Sequence, residues 1–205
     1  MRILISGGAK NGKSIYAQKI SKAMSVKYDV PLYYVATMKP ADEEDESRIK
    51  RHIQERAGWG FTTIEEPRRL TRIFDGIHKL DKHAKVALEN AKTGNSNVEN
   101  ASTKDINSNG VFLVDSLTAL LGNNMFSPDG SMNLNCFEDI RDDIYKFSQM
   151  ATNIVIVSDS IGCDGMKFDE VTENYKRCLA RLEREIASYY DRVTEVSVGR
   201  IIDFK

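Results

Sequence analysis

The chain has 205 residues and is short of net charge, of cysteine and of long apolar runs. Each shortage excludes something. Lys and Arg together number 29 against 30 Asp and Glu, a formal net charge of −1. Domains built around a nucleic acid carry a basic excess, so no nucleic-acid partner is expected. No apolar run approaches the roughly 20 residues that cross a bilayer, so no membrane span is expected. The opening MRILISGG runs straight into glycines, with no long apolar core and no small-residue cleavage site. It therefore does not read as a signal peptide, and the expected location is the cytoplasm. Cys136, Cys163 and Cys178 are odd in number and far apart. They suit neither a disulfide framework nor a metal knuckle, and read as small buried hydrophobes. What remains is ordinary for a soluble globular protein: 41% hydrophobic and 29% charged residues. The length fits one domain, 1–205, able to bury a core without disulfides or metal.

Strand and helix patterns alternate along the chain. Residues 2–6, 31–36, 111–114 and 153–157 read as buried strands, and 62–64 as a short one. Residues 13–24, 42–57, 67–80, 137–150 and 168–189 read as helices, with another following the strand at 111–114 and running through about Met125. Leu70, Ile73, Phe74 and Ile77 fall on one helical face. The alternation predicts an α/β fold, a mostly parallel sheet with helices on both faces. Residues 193–198 and 201–204, joined tightly at Gly199, predict a C-terminal antiparallel hairpin. No repeat of 20–50 residues is visible. Residues from about 89 to 110 are rich in Asn, Ser and Thr and nearly free of large apolar side chains. They read as a mobile, exposed insertion, with a functional lid as the alternative.

The sharpest local signal is Gly7-Gly8-Ala9-Lys10-Asn11-Gly12-Lys13-Ser14. It matches G-x-x-x-x-G-K-[ST] between a predicted strand and a predicted helix, the setting of a phosphate-binding loop. Glycines let the backbone close around phosphates, and its N–H groups and the helix N-terminus face the anion. Lys13 is expected to reach the β- and γ-phosphates, and Ser14 to ligate Mg²⁺. A glycine-rich turn with a chance lysine is the bland alternative. Further on, Val111-Phe112-Leu113-Val114-Asp115 puts an acid at the end of an apolar strand. Ligands bind at that end in open α/β sheets, so Asp115 is a candidate Mg²⁺ residue. Its alternative role is to cap the following helix, a role Ser116 or Thr118 would serve as well.

A second signal is the run DEEDESRIKRHIQERA. Residues four apart advance only about 40° around a helix, so Arg48, His52 and Arg56 form one stripe beside Ile49 and Ile53. The guanidiniums disfavour an imidazolium and are expected to lower the pKa of His52. A neutral imidazole between phosphate-binding groups suits attack on phosphorus. An inert surface histidine on a charged helix is the alternative, and His78 and His83 read as surface residues.

Taken together, GGAKNGKS, YYVAT, DEEDESRIKRHIQER, TTIEEP and VFLVDSLTALLGNNMF resemble the bifunctional adenosylcobinamide kinase / adenosylcobinamide-phosphate guanylyltransferase family. The blocks stand in family order and cover most of residues 1–126. The resemblance implies a RecA-like P-loop NTPase fold, a homotrimer and a role in cobalamin biosynthesis and salvage. It implies phosphorylation of adenosylcobinamide from ATP or GTP, then transfer of GMP from GTP to the resulting phosphate. It makes His52, in Arg48-Ile49-Lys50-Arg51-His52, the residue that carries GMP covalently. It also implies that Ala36, Thr37, Met38, Ile53, Gln54, Glu55, Arg56, Glu65 and Asp115 surround the guanine nucleotide. Two C-terminal segments depart from the family pattern. Val157-Ser158-Asp159-Ser160 replaces a strand end that normally carries an Asn-Glu pair, and Glu183-Arg184 stands where the next helix normally has Asn-Gln. A different small-molecule P-loop kinase, or a nucleotide-binding paralogue without guanylyl transfer, are the alternatives.

Overall fold

The computed structural model describes residues 1–38, 58–74, 107–161 and 165–205. Seven strands are present among them: β1 (Arg2–Gly7), β2 (Leu32–Ala36), β3 (Thr62–Glu65), β4 (Val111–Asp115), β5 (Asn153–Asp159), β6 (Arg192–Ser197) and β7 (Arg200–Asp203). The helices are α1 (Lys13–Tyr28), α2 (Leu117–Met125), α3 (Phe137–Met150) and α4 (Glu170–Tyr189), with a 3-10 turn at Leu70–Phe74. The strands form one sheet in the order β3-β2-β4-β5-β1-β6-β7. Every neighbouring pair is parallel except the antiparallel β6–β7 hairpin. This is the architecture the alternation predicts.

Side chains alternate across a strand, so each central strand feeds two cores. Leu4, Tyr33, Val35, Phe112, Val114, Ile154 and Ile156 point into the larger one, with residues of the 3-10 turn, α2, α3 and α4. Ile3, Ile5, Tyr34, Val111, Leu113, Val155 and Val157 point the other way, with Ala17 and Met24 of α1. Runs apolar at every position, as at residues 111–114 of β4 and 154–157 of β5, are the expected outcome when both faces are covered. The few aromatic residues concentrate in the larger core. The Phe112 ring stacks on Tyr33 at 4.9 Å between centroids and meets Phe74 and Phe147 edge-on at 5.4 and 5.6 Å.

The segment read as a helix over 67–80 is, in its described part, a 3-10 turn whose Leu70, Ile73 and Phe74 are buried as expected. Its start is set by Asp143 of α3, which accepts from Leu70 N–H at 2.6 Å and from the Thr71 hydroxyl. The predicted helix over 42–57, all three histidines, and the insertion apart from residues 107–110 lie outside the described residues. Cys136 and Cys178 are buried, and burial pushes the Cys136 thiol up to about 11. Cys163 lies outside the described residues. Among the described residues no helix is long and apolar enough to cross a membrane.

Candidate active site at the carboxyl edge of the sheet

Strand register brings the sequence candidates onto one edge. Ala36 is level with Glu65 on one side and with Asp115 on the other, and Gly7 is level with Asp159. These residues end β2, β3, β4, β1 and β5. The ledge from β3 to β1 spans four strand spacings, roughly 19 Å.

The loop between β1 and α1 forms one end of this ledge. A side chain on Gly7 would collide with the Asn11 side chain and the Val196 carbonyl, so the close approach to β6 requires glycine. Gly12 has open space around it but sits at φ 90°, a conformation glycine adopts without strain. Asn11 braces the loop at both ends. Its Nδ2 donates to Val196 O of β6, and its Oδ1 accepts from Lys13 N–H at 3.1 Å. Gly8, Ala9 and Lys10 are exposed, and Ser14 is half-buried on the first turn of α1. The result is a braced concave loop at the N-terminus of a 16-residue helix, the geometry that accepts phosphate.

Lys13 is buried, with 7% of its surface exposed. Its ammonium donates to Gly8 O at 3.1 Å and pairs with Asp159 Oδ1 at 2.6 Å. Asp159 is held by its backbone: its N–H donates to Thr118 Oγ1 at 2.8 Å, while Ser160 N–H donates to Gly7 O at 2.9 Å. Sequence reading met Asp159 only as a departure from a pattern. The signal that would have found it is its place just past the apolar run of residues 154–157, separated from it by Ser158, close to the signal that picked out Asp115. The charge of Asp159 also acts on its neighbours. Burial, reinforced by this carboxylate, pushes the Tyr175 phenol up to about 12, and the hydroxyl donates to Thr118 O at 2.8 Å.

Asp115 stands two strands from β1, half-buried, its Oδ2 accepting from the Tyr34 hydroxyl at 2.8 Å. The cap of α2 is Ser116, whose Oγ accepts from Ala119 N–H at 3.2 Å, so the carboxylate of Asp115 is not spent on that role. Thr37 is fully buried beneath the edge. Its hydroxyl accepts from Ser116 N–H at 2.7 Å and donates to Ser116 O at 2.8 Å, and its carbonyl accepts from Asn123 Nδ2 at 2.7 Å. Thr37 thus clamps the ends of β2 and β4 together. Ala36 and Met38 are half-buried beside it, and Glu65 is exposed at the end of β3. Arg48, His52, Ile53, Gln54, Glu55 and Arg56 lie outside the described residues.

Among the described residues no three His, Cys, Asp or Glu side chains gather as a metal cage. Mg²⁺ does not ask for one, since it binds through one or two protein oxygens and substrate phosphates. The Ser14 hydroxyl and the Asp115 carboxylate are donors of that kind, so the residues present fit the ion.

A family model described as cobinamide kinase / cobinamide phosphate guanyltransferase matches residues 3–93 and 78–204. No curated protein matches the sequence. Among solved structures, the chain is similar to the ATPase domain of G40P, with a TM-score of 0.50 at 13% identity over 95% of this chain and 68% of that one. It is also similar to the flagellar accessory protein FlaH from Methanocaldococcus jannaschii, with a TM-score of 0.46 at 12% identity over 100% of this chain and 77% of that one. The likeness to the G40P domain, at 13% identity, speaks to fold alone, and the fold is the RecA-like P-loop NTPase fold. The family match runs across both the phosphate loop and the strands that end at the ledge, and the chain belongs to the cobinamide kinase / cobinamide phosphate guanyltransferase family.

Proposed function

We propose that the protein carries out both reactions of its family in cobalamin biosynthesis: it phosphorylates adenosylcobinamide from ATP or GTP, and transfers GMP from GTP to adenosylcobinamide phosphate through a GMP carried on His52. The observation that carries this reading is the braced loop with its buried lysine, in a chain matched by the family model from residue 3 to residue 204.

In this reading the N–H groups of residues 7–14 and the Lys13 ammonium hold the phosphates. Ser14 and Asp115 hold Mg²⁺, which supplies charge neutralisation on the phosphate oxygens. Ala36, Thr37, Met38, Glu65 and Asp115 frame the guanine nucleotide together with Arg48 and residues 53–56. The His52 imidazole attacks the α-phosphorus, the α–β bridging bond breaks, and pyrophosphate departs with its charge met by Lys13. The cobinamide phosphate then takes GMP from the histidine. Splitting the transfer lets one site serve two bulky substrates in turn. The reading includes one domain over 1–205 with an Asn-rich insertion at about 89–110, a cytoplasmic location and a homotrimer. Ile201, Ile202 and Phe204, exposed along and beyond β7, support burial of that edge against further copies.

Incubation with GTP labelled at the α-phosphate, with Mg²⁺, followed by intact mass measurement tests this. The wild type is expected to gain one GMP, and His52→Ala and Lys13→Ala none. A wild type without the adduct removes the guanylyl half of the reading.

A further inference from the structure

We infer that Asp159 is a catalytic residue of the kinase step, parked on Lys13 until a nucleoside triphosphate displaces it and then taking the proton of the acceptor alcohol. The inference rests on the kinase half of the proposed function. Its starting point is the 2.6 Å pair between Lys13 and Asp159 at the mouth of the phosphate loop. A lysine in this motif serves the β- and γ-phosphates. The carboxylate therefore stands where a phosphate oxygen has to come, and the two anions compete for one ammonium. Asp159 can yield without disturbing the fold. Its backbone is fixed by Thr118 and its strand by Gly7, while its side chain is 29% exposed, so rotation about its own side-chain bonds suffices.

Once displaced, the carboxylate lies beside the γ-phosphate, released from its pair with the ammonium. The acceptor hydroxyl has to approach the γ-phosphorus from the side away from the leaving diphosphate, close to this strand end. In the transfer the alcohol oxygen forms a bond to the γ-phosphorus. The β–γ bridging bond breaks, and its electron pair leaves with the nucleoside diphosphate. The alcohol proton passes to Asp159 Oδ1. When product departs, the proton goes to solvent and the carboxylate returns to Lys13. Among the other described carboxylates of the ledge, Asp115 is two strands from β1, with Tyr34 donating to its Oδ2, and Glu65 lies at the far end. Neither contacts Lys13.

The test is Asp159→Asn, which keeps the shape of the side chain and removes its charge and its capacity to take the proton; because Ser160 stands where the family pattern follows its Asn with Glu, the variant leaves no carboxylate at this strand end. ATP binding and the rate of phosphate transfer to adenosylcobinamide are measured on both proteins. The variant is expected to bind ATP at least about threefold more tightly, because the competing anion is gone. Its kcat is expected to fall about 100-fold or more, the usual range for a lost general base. Tightened binding also reports that the variant is folded. A residue that merely supported the loop would weaken binding instead. Weaker ATP binding, or a kcat that falls less than about tenfold, overturns the inference. A wild type that binds ATP without phosphorylating adenosylcobinamide overturns the functional reading and the inference with it, whereas equal transfer by wild type and variant overturns the inference alone.

Discussion

In β5 every residue from Asn153 to Ser158 is buried, whereas in β7 all four residues are exposed, although two of them are isoleucines. Both strands belong to the same sheet, and both are rich in apolar side chains. They differ in what covers them. Helices pack on both faces of β5 and β4, while β7 is the terminal strand beyond β6, paired on one side only among the described residues. Apolar composition therefore sets where a strand is able to be buried, and position in the strand order decides whether it is. The covered centre is also where the phosphate loop and both strand-end aspartates are rooted, so the rigidity of the site is that of the doubly covered core.

The largest expected effect breaks the covered centre. Phe112 is fully buried and touches the rings of Tyr33, Phe74 and Phe147. Phe112→Ala should cost about 3–5 kcal/mol in urea unfolding, through lost transfer energy and the cavity left behind. Ile202→Ala, on β7, should cost less than about 1 kcal/mol under conditions where the protein is monomeric. Equal costs would mean that the edge strand is packed as tightly as the centre, and the contrast would fail.

A smaller effect sharpens the contrast from the edge. The turn joining β6 to β7 holds Val198 at φ 49° and Gly199 at φ 74°. Glycine accepts this readily, but a β-branched residue does so at a cost. Val198 is 95% exposed, so no packing offsets that cost. Val198→Asn should raise the stability by about 1 kcal/mol, read as a higher Tm, because Asn tolerates the left-handed region. A Tm equal to or below that of the wild type would show that Val198 makes up the cost elsewhere.

The same distinction explains what was legible in the sequence. The loop from Gly7 to Ser14, the strand ending at Asp115 and the closing hairpin are encoded by neighbours within about ten residues, and each stands where the pattern indicates. Asp159 beside Lys13 depends on β5 inserting between β4 and β1, a parallel pairing of residues far apart in the chain that local periodicity does not carry. The start of the 3-10 turn at Leu70 was hidden for a similar reason, since the carboxylate that takes its first N–H group comes from Asp143, on another helix. The cap of α2 went to Ser116 over Asp115 because the Ser116 hydroxyl meets Ala119 N–H, and three good capping residues within four positions leave that choice to backbone geometry. The guanine-nucleotide residues rest on resemblance because no spacing rule marks a base pocket.

The smallest effect concerns a charge placed between the two regions. Glu183 of α4 lines a groove of about 660 Å³ bounded by Leu4 and Ser6 of β1, Val193 of β6, and Phe204 beyond β7. Burial, reinforced by the nearby charge of Asp159, lifts its carboxyl above the ordinary value of 4.5. Between that value and the raised one, the folded chain holds more proton than the unfolded chain, so stability falls as pH rises through this window. At neutral pH the ionised Glu183 is a net penalty on folding. Glu183→Gln removes it and should unfold at a higher temperature than the wild type at pH 7. Below pH 4.5 the wild-type carboxyl is protonated in both states and the advantage should vanish. Thermal melts at a series of pH values read this directly. An advantage that stays constant from pH 7 to below 4.5 would assign it to packing, and would place Glu183 with the exposed edge and not with the covered centre.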